Sequence, residues 1–395
     1  MAGNNWVYTR AILVFILTIV SFEFLYLSVI GQSPWWLPAG ATVVSIAAWY
    51  LIGRLGCRGI NTNWFLTLAL IIAITVIPEL WLRAIDYHWK AYAGYAGLRP
   101  ELTACFQPDR DLFWKRSSDE PGINNLGFHG PDIIVPKPAD VCRVVVLGDS
   151  CAEQDYTGLL ERCLNASDTS DTIQYEGALL AVAGYSSYQG KVIAEKLAPA
   201  LEPDVAVICY GWNDHWLAYR ATDNNIGSYR HMYYLTALLG QIRLVQFGRM
   251  LLAALSGDTG NNTLDKVRVP AEQYRANLLS IVRGLRHNGI TVVLMTSPTS
   301  FYRLGVPDRI VKSRLAVSKE TALHMHRQYN EIVRDLASRE NIPLLDIEAE
   351  FERVTAPEIF FKPDGIHLSR DGLRAIAGRL CWAVREILCE KKETE

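Results

Sequence analysis

Five short apolar runs recur after Cys142, and stretches with helical spacing separate them. The runs are Arg143 to Leu147, about Thr172 to Leu179, Val205 to Tyr210, Thr291 to Met295 and Ile342 to Asp346. Helices are expected at about 155–164, 187–197, 271–288 and 319–340, with a last one at about 369–389. Alternation of this kind specifies a parallel sheet with helices on both faces. Near-continuous apolar strands are the kind buried on both sides. The expected fold is therefore α/β, a three-layer α/β/α sandwich around a mostly parallel five-stranded sheet over residues 141–395. Residues 215–270 interrupt the alternation with an insertion that holds an apolar-aromatic stretch, His231 to Leu255, and a polar turn after it. Residues 84–140 read as a connector, because Pro131, Pro136 and Pro138 punctuate its end.

The head of the chain has a different character. Half of the residues are hydrophobic, and the excess lies in the first ~85 residues, read against the length a bilayer demands. Three segments, Ala11 to Ile30, about Leu37 to Gly53 and about Trp64 to Leu82, each approach the ~20 residues that cross a bilayer. Trp35, Trp36, Trp49, Tyr50, Trp64 and Trp81 fall near their ends, where amphipathic rings prefer the headgroup level. The first segment carries Glu23, which either faces the other helices or sits protonated among them. A cleaved signal peptide is disfavoured, since only Arg10 precedes the apolar run and no small-x-small site follows promptly. Arg10, Arg54 and Arg58 place the N-terminus and the second loop in the cytoplasm by the positive-inside rule. The expectation is a multi-pass membrane protein in which residues 1–83 form an anchor of three transmembrane helices. Everything after about Arg83 then lies outside the cytoplasm, in a periplasmic or extracellular space. A net charge of -2 and the absence of basic runs exclude a nucleic-acid partner.

Eight cysteines occur. Cys57 would be cytoplasmic; the other seven would be exported, and an odd number leaves at least one thiol outside an intrachain bridge. Cys105 and Cys142 are candidates for a disulfide. Cys381 and Cys389, eight apart on one expected helix, are too far apart to pair with each other. Cys209 lies in an apolar strand and reads as a small buried hydrophobe. No C-x-x-C spacing occurs, and His324 and His326, two apart on an expected helix, point to different faces and read as surface residues. Neither a metal nor a cofactor is expected.

Four short blocks occur in order, each just after a strand or before a helix, the sheet edge where ligands bind in open α/β folds. The first is Gly148-Asp149-Ser150, with the serine at a helix N-terminus that favours developing negative charge. The second holds Gly184, whose backbone N–H can approach a substrate oxygen. The third is Gly211-Trp212-Asn213-Asp214, where the asparagine amide can donate to an oxyanion. The fourth is Asp364-Gly365-Ile366-His367, in which the histidine can serve Ser150 as a base and the aspartate can orient the histidine. Taken singly, each block reads equally well as a turn.

Together, Gly-Asp-Ser, the glycine block, Gly-x-Asn-Asp and Asp-x-x-His resemble the SGNH (GDSL-type) hydrolase superfamily over roughly residues 124–389. Asn125-Leu-Gly127-Phe-His-Gly130 looks like a lead-in found in many exported members. The resemblance implies the flavodoxin-like SGNH fold, with Ser150, His367 and Asp364 as the catalytic set and the Ser150 N–H, Gly184 and Asn213 as oxyanion donors. Asp149, Asp214 and His215 are candidate lining of a substrate pocket. One departure is the run Ser150-Cys151-Ala-Glu153-Gln154, where many members place a glycine. Glu153 and Gln154 either shape the acyl pocket or cap the helix, and Cys151 reads as a packed residue rather than a second nucleophile. The implied function is that of a membrane-anchored serine esterase or acyl hydrolase acting outside the cytoplasm through an acyl-serine. O-acylated envelope glycans are its expected substrates, by deacetylation or O-acyl transfer. The alternatives are a lipid-ester hydrolase of the lysophospholipase or thioesterase kind, and a non-catalytic carbohydrate-binding assembly protein on the same fold. For the lipid alternative, Met232 to Leu255 would be an apolar lid rather than an ordinary helix pair.

Overall fold

The structure, a computed structural model, describes residues 75–87, 105–154, 156–167, 173–219, 221–256, 263–354 and 356–394. The first two expected spans lie outside the described residues, and of the third only the end is described, as part of a helix over 75–84. Among the described residues, no helix is long and apolar enough to cross a membrane. The chain divides into two compact units. One comprises residues 1–92, 97–103 and 225–262; the other comprises 93–96, 104–224 and 263–395.

The larger unit is built on five parallel strands: β1 (Val141–Gly148), β2 (Gln174–Ala181), β3 (Val205–Cys209), β4 (Thr291–Met295) and β5 (Leu344–Leu345), in the order β2-β1-β3-β4-β5. The helices of this unit used below are α1 (Tyr156–Ser167), α2 (Ser187–Lys196), α3 (Ala271–His287), α4 (Lys319–Arg339) and α5 (Arg370–Thr394). Val144 and Val146 of β1 and Val205 and Val207 of β3 pack in one cluster with Leu160 of α1 and Ile376 and Leu380 of α5. Full burial of a valine contributes about 1.5–3 kcal/mol over leaving it exposed. Strand residues alternate between faces, so Val145, Leu147, Ala206 and Ile208 point to the opposite layer, where α2 packs on α3 and α3 on α4. The three-layer sandwich and its five strands therefore match the sequence pattern. The second strand begins two residues later than expected, and the last shrinks to a two-residue edge.

The register matters for the site. Gly148 at the end of β1 pairs with Ala181 on one side and Cys209 on the other. Three neighbouring strands thus end level, and the loops that follow them gather at one edge.

From residue 105 onward the 84–140 connector folds as part of this unit, while its described start, 84–87, belongs to the smaller one. Phe106–Asp109 and Phe113–Arg116 form an antiparallel hairpin, and Phe113, Trp114, Phe128 and Ile133 are buried. Arg143, fully buried in β1, reaches Glu176 at 2.8 Å and the Ile134 carbonyl at 2.8 Å. The guanidinium thereby ties the end of the connector to the sheet. The insertion leaves and returns through a second antiparallel ribbon, in which Leu217 pairs with Val267.

The disulfide differs from expectation. Cys163 of α1 bonds Cys381 of α5, with 6.1 Å between their Cα atoms, while Cys105 and Cys142 do not bond each other. The physical reason is the layer arrangement: α1 and α5 lie side by side on one face, whereas Cys142 is committed to the core as a strand residue. Cys381 and Cys389 do not pair with each other.

In the smaller unit, the described residues are 75–87, with a helix over 75–84, and 225–256, which hold the insertion helices Arg230–Leu239 and Arg243–Ser256. The two insertion helices are held together by Gln246 Nε2 donating to the Gly240 carbonyl at 2.9 Å and Arg249 donating to the Thr236 carbonyl at 3.2 Å.

Candidate active site

The turn that carries Ser150 requires glycine at its base. A Cβ on Gly148 would stand 2.5 Å from the Ala152 Cβ and 2.9 Å from the Cys209 carbonyl oxygen. Asp149 then closes the turn on itself: its Oδ1 accepts from the Cys151 N–H at 2.8 Å, an Asx-type arrangement. The Ser150 hydroxyl lies 3.0 Å from His367 Nε2, and His367 Nδ1 lies 2.8 Å from Asp364 Oδ2. An ionised carboxylate only accepts, so Nδ1 carries the ring proton and donates to Asp364. The lone pair of Nε2 therefore faces Ser150, whose hydroxyl donates to it. Residues 217 apart in the chain are in hydrogen-bond contact.

Asp364 is held by its own turn. Its Oδ1 accepts from the Ile366 and His367 N–H groups at 2.9 and 2.8 Å. Gly365 adopts a φ of +73°, and a Cβ there would meet Ser300 Oγ at 2.7 Å. The Gly365 carbonyl accepts from Ser300 N–H and Thr299 Oγ1 at 3.1 and 3.0 Å. The loop after β4 thus grips the histidine turn. Partial burial works against ionisation of Asp364, but the His367 hydrogen bond and the two backbone donors prevail. They hold its carboxyl well below the usual carboxylate range.

Asn213 donates from Nδ2 to Asp149 Oδ2 at 3.2 Å. That contact uses one amide hydrogen and leaves the other for a second acceptor. Burial pushes Asp149 up to about 6, with the Cys151 N–H as the chief opposing influence. Burial likewise raises the Cys151 thiol well above its ordinary value, which makes it an inert packed residue at neutral pH.

The Gly184 loop is pinned from several sides, by Glu153, whose carboxylate is spent on this loop rather than on capping a helix, and by Trp114, Arg268 and Asp223, which carry no motif in the sequence. Glu153 accepts from the Ala183 N–H at 2.9 Å and from Arg116 at 2.7 Å. It therefore links the serine turn, the Gly184 loop and the connector hairpin. Trp114 Nε1 donates to the Ala183 carbonyl at 3.1 Å. In a trans peptide the carbonyl and the following N–H point opposite ways, so the Gly184 N–H is aimed away from Trp114. The Gly184 carbonyl accepts from Arg268 Nη1 at 2.8 Å. Arg268, itself buried, forks onto Asp223 at 3.1 and 2.7 Å, and Asp223 also accepts from Ser186 Oγ at 2.6 Å. Ser186 caps α2 in a capping box with Gln189. Of these residues only Gly184 and Glu153 carry a sequence signal. An arginine in a loop and a tryptophan in a short hairpin carry none.

The three expected pocket residues are buried: Asp149, Asp214 and His215 lie beneath the loops and are bonded inward. Asp214 Oδ1 accepts from the Ser187 N–H at 2.9 Å. His326 is buried too, contrary to the surface position expected for it, and stacks on Trp212 with ring centroids 3.9 Å apart. The Ser297 carbonyl, 2.9 Å from His326 Nε2, can only accept, so Nε2 carries the proton. His326 Nδ1 then accepts from His215 Nε2 at 3.2 Å. Burial lowers His326 to about 4, so the pair is neutral at neutral pH. Trp212 packs in one cluster with Cys151 and Ile366, the neighbours of Ser150 and His367, and so underlies the turns that carry both. Among the described residues, no cluster of three or more His, Cys, Asp or Glu side chains could hold a metal ion.

Burial pushes Asp214 up to about 7, against the Ser187 hydrogen bonds and the Arg268 charge. A raised carboxylate pKa means that the folded protein keeps a proton the unfolded chain has lost. Stability therefore declines as pH rises from about 4 to about 7, by roughly 4 kcal/mol at most. Asp214→Asn keeps an acceptor for Ser187 and removes that slope. Urea unfolding of the two proteins should coincide near pH 4 and favour the variant near pH 8. Parallel curves across that range would refute the assignment.

Residues 146–375 match the model of the GDSL-like Lipase/Acylhydrolase family. A 134-residue stretch is 28% identical to "Uncharacterized lipoprotein YqeF" of Bacillus subtilis (strain 168), covering 31% of this chain and 55% of that relative. The chain thus spans about half the length of that curated relative. A lipase/acylhydrolase from Enterococcus faecalis has 14% identity and a TM-score of 0.42, over 62% of this chain and 96% of its own. A catalytic mutant of an acetylxylan esterase from Geobacillus stearothermophilus has 16% identity and a TM-score of 0.37, over 60% and 93%.

Proposed function

Since the chain belongs to the GDSL-like lipase/acylhydrolase family and is a serine ester hydrolase, we propose that Ser150 is its nucleophile, His367 its general base and Asp364 the orienting carboxylate. The unbroken hydrogen-bond chain from Ser150 through His367 to Asp364 carries this reading. Ser150 Oγ adds to the ester carbonyl carbon while its proton passes to His367 Nε2. Asp364 stabilises the imidazolium that forms. The carbonyl oxygen becomes an oxyanion, met by the N–H groups of Ser150 and Gly184 and the second amide hydrogen of Asn213. Collapse expels the alkoxide, which takes the proton from His367, and an acyl-serine remains. Water, or a sugar hydroxyl, then adds to the acyl carbon as His367 accepts its proton. The acyl group leaves as an acid or as a new ester, and Ser150 is restored.

The further reading is of a membrane-anchored enzyme working outside the cytoplasm on O-acylated envelope glycans. Three apolar segments in residues 11–82 support the anchor, with residues 84–140 as the connector and 141–395 as the catalytic domain. The Cys163–Cys381 bridge supports an oxidising compartment. The relative named a lipoprotein agrees with membrane association. A lipid ester is the second substrate reading, favoured by the exposed leucines on the insertion helices.

The test is to label full-length protein with a serine-reactive phosphonate and map the adduct. Native envelope material is then supplied, and the released product is identified. The adduct is expected on Ser150, and acetate or another short acid is expected from glycan. An adduct elsewhere would remove the assignment of the nucleophile; released fatty acid would select the lipid reading.

A further inference from the structure

The insertion helices combine an exposed apolar face with charge of one sign. Between Asp223 and Asp258 there is no aspartate or glutamate, while Arg230, Arg243 and Arg249 occur there. Leu235, Leu238, Leu251 and Leu255 are exposed on the same two helices, Leu255 at 85%, and Ile242 is exposed in the turn between them. Cationic charge, no anionic charge and an outward apolar face are the marks of a helix lying in the headgroup layer of an anionic bilayer.

A second observation places these helices beside the end of the third apolar segment. Glu79 accepts from the Arg243 and Leu244 N–H groups at 3.1 and 2.8 Å, with its two carboxylate oxygens shared between them. It therefore caps the helix Arg243–Ser256 from 164 residues away, where a carboxylate suits the helix dipole. Tyr87 meets Phe247 edge-on with centroids 5.9 Å apart. The 75–84 helix exposes apolar groups of its own, Ile77 and Trp81 at 61% each.

We propose that the helix pair Arg230–Leu239 and Arg243–Ser256 is an interfacial membrane-binding element whose partner is an anionic lipid surface. The inference rests on the anchored reading above. If residues 64–82 cross the bilayer and end at its outer face, a helix capped by Glu79 lies within one side chain's reach of that level. The exposed leucines then enter the acyl boundary while the net positive charge of the pair draws it to an anionic headgroup layer.

Full-length protein reconstituted in vesicles containing a lipid with a photoreactive acyl chain tests this. After irradiation, lipid adducts are mapped by mass. Adducts are expected within 230–256 and within 11–82. Those in 230–256 should fall about fivefold or more when neutral lipid replaces anionic lipid. Leu235→Glu with Leu251→Glu should remove the 230–256 adducts, leave those in 11–82, and leave hydrolysis of a soluble aryl ester unchanged. Adducts confined to 11–82 would overturn the proposal while the anchor stands. Crosslinks from Leu235 or Leu251 to a second copy, in place of lipid, would overturn it equally. Adducts in 230–256 with none in 11–82 would support the lipid surface and remove the anchor, and none in either would remove both.

Discussion

Replacing His367 by alanine lowers turnover of a short aryl ester by about 10⁴-fold or more, and Ser150→Ala lowers it as far. The double variant loses no more than the worse single one, because proton acceptor and nucleophile act as a unit. KM changes far less, since neither side chain is needed to hold the substrate. Asp364→Asn is nearly as severe. Its Oδ1 still accepts from the Ile366 and His367 N–H groups, but an amide facing His367 Nδ1 favours the tautomer whose Nε2–H points at Ser150. In the wild type, Asp364 lies well below the usual carboxylate range and stays ionised through mildly acidic pH. Acid loss of activity is therefore not a titration of Asp364. Steady-state kinetics, with circular dichroism to verify folding, decide the matter. A His367→Ala enzyme within tenfold of wild type would end the Ser150–His367–Asp364 scheme.

The second large effect belongs to Arg268. Arg268→Ala strands Asp223 as a buried unpaired carboxylate, and losing one partner of a buried ion pair is worth about 3–5 kcal/mol. It also takes the donor from the Gly184 carbonyl, so turnover falls beyond what instability explains. The two consequences separate in Arg268→Met with Asp223→Leu. Apolar replacement of a whole buried pair is often neutral, so this protein should recover most of its urea stability. Its kcat should remain low, by about 10-fold or more if the loss of an oxyanion donor is a guide, because the Gly184 peptide is still unfastened. Full recovery of kcat together with stability would reduce Arg268 to a structural residue.

Much of this architecture was legible from the sequence, for reasons that particular residues make plain. Val144 to Leu147 and Val205 to Ile208 are buried on both faces, so their composition alone marks them as strands. The Ser150, Gly184, Asn213 and His367 blocks follow level strand ends or precede a helix, and local motifs survive at such places. What was hidden was tertiary. The Phe106–Arg116 hairpin has strands of four residues, one with Pro108 in it, too short to show a period. Arg268 and Asp223 are types that belong on surfaces by default, and only their partners explain their burial. His215 and Asp214 sit beside Asn213 in the chain, yet the turn sends Asn213 towards Asp149 and the other two inward. Cysteine pairing depends on which helices share a face, and spacing along the chain does not encode that.

The Cys163–Cys381 bridge has a consequence for how such a protein can change over generations. The Ser150 turn runs within a few residues into α1, and the His367 turn runs as directly into α5. The bridge joins those two helices, so Ser150 and His367, the proposed nucleophile and base, belong to one mechanical piece. The two are 217 apart in sequence, and an excursion from the chain between them need not pass through the helices that hold their alignment. A lineage can therefore acquire, lengthen or lose a whole excursion such as 225–262, and with it a new surface or substrate preference, without having to rediscover the register of its catalytic pair.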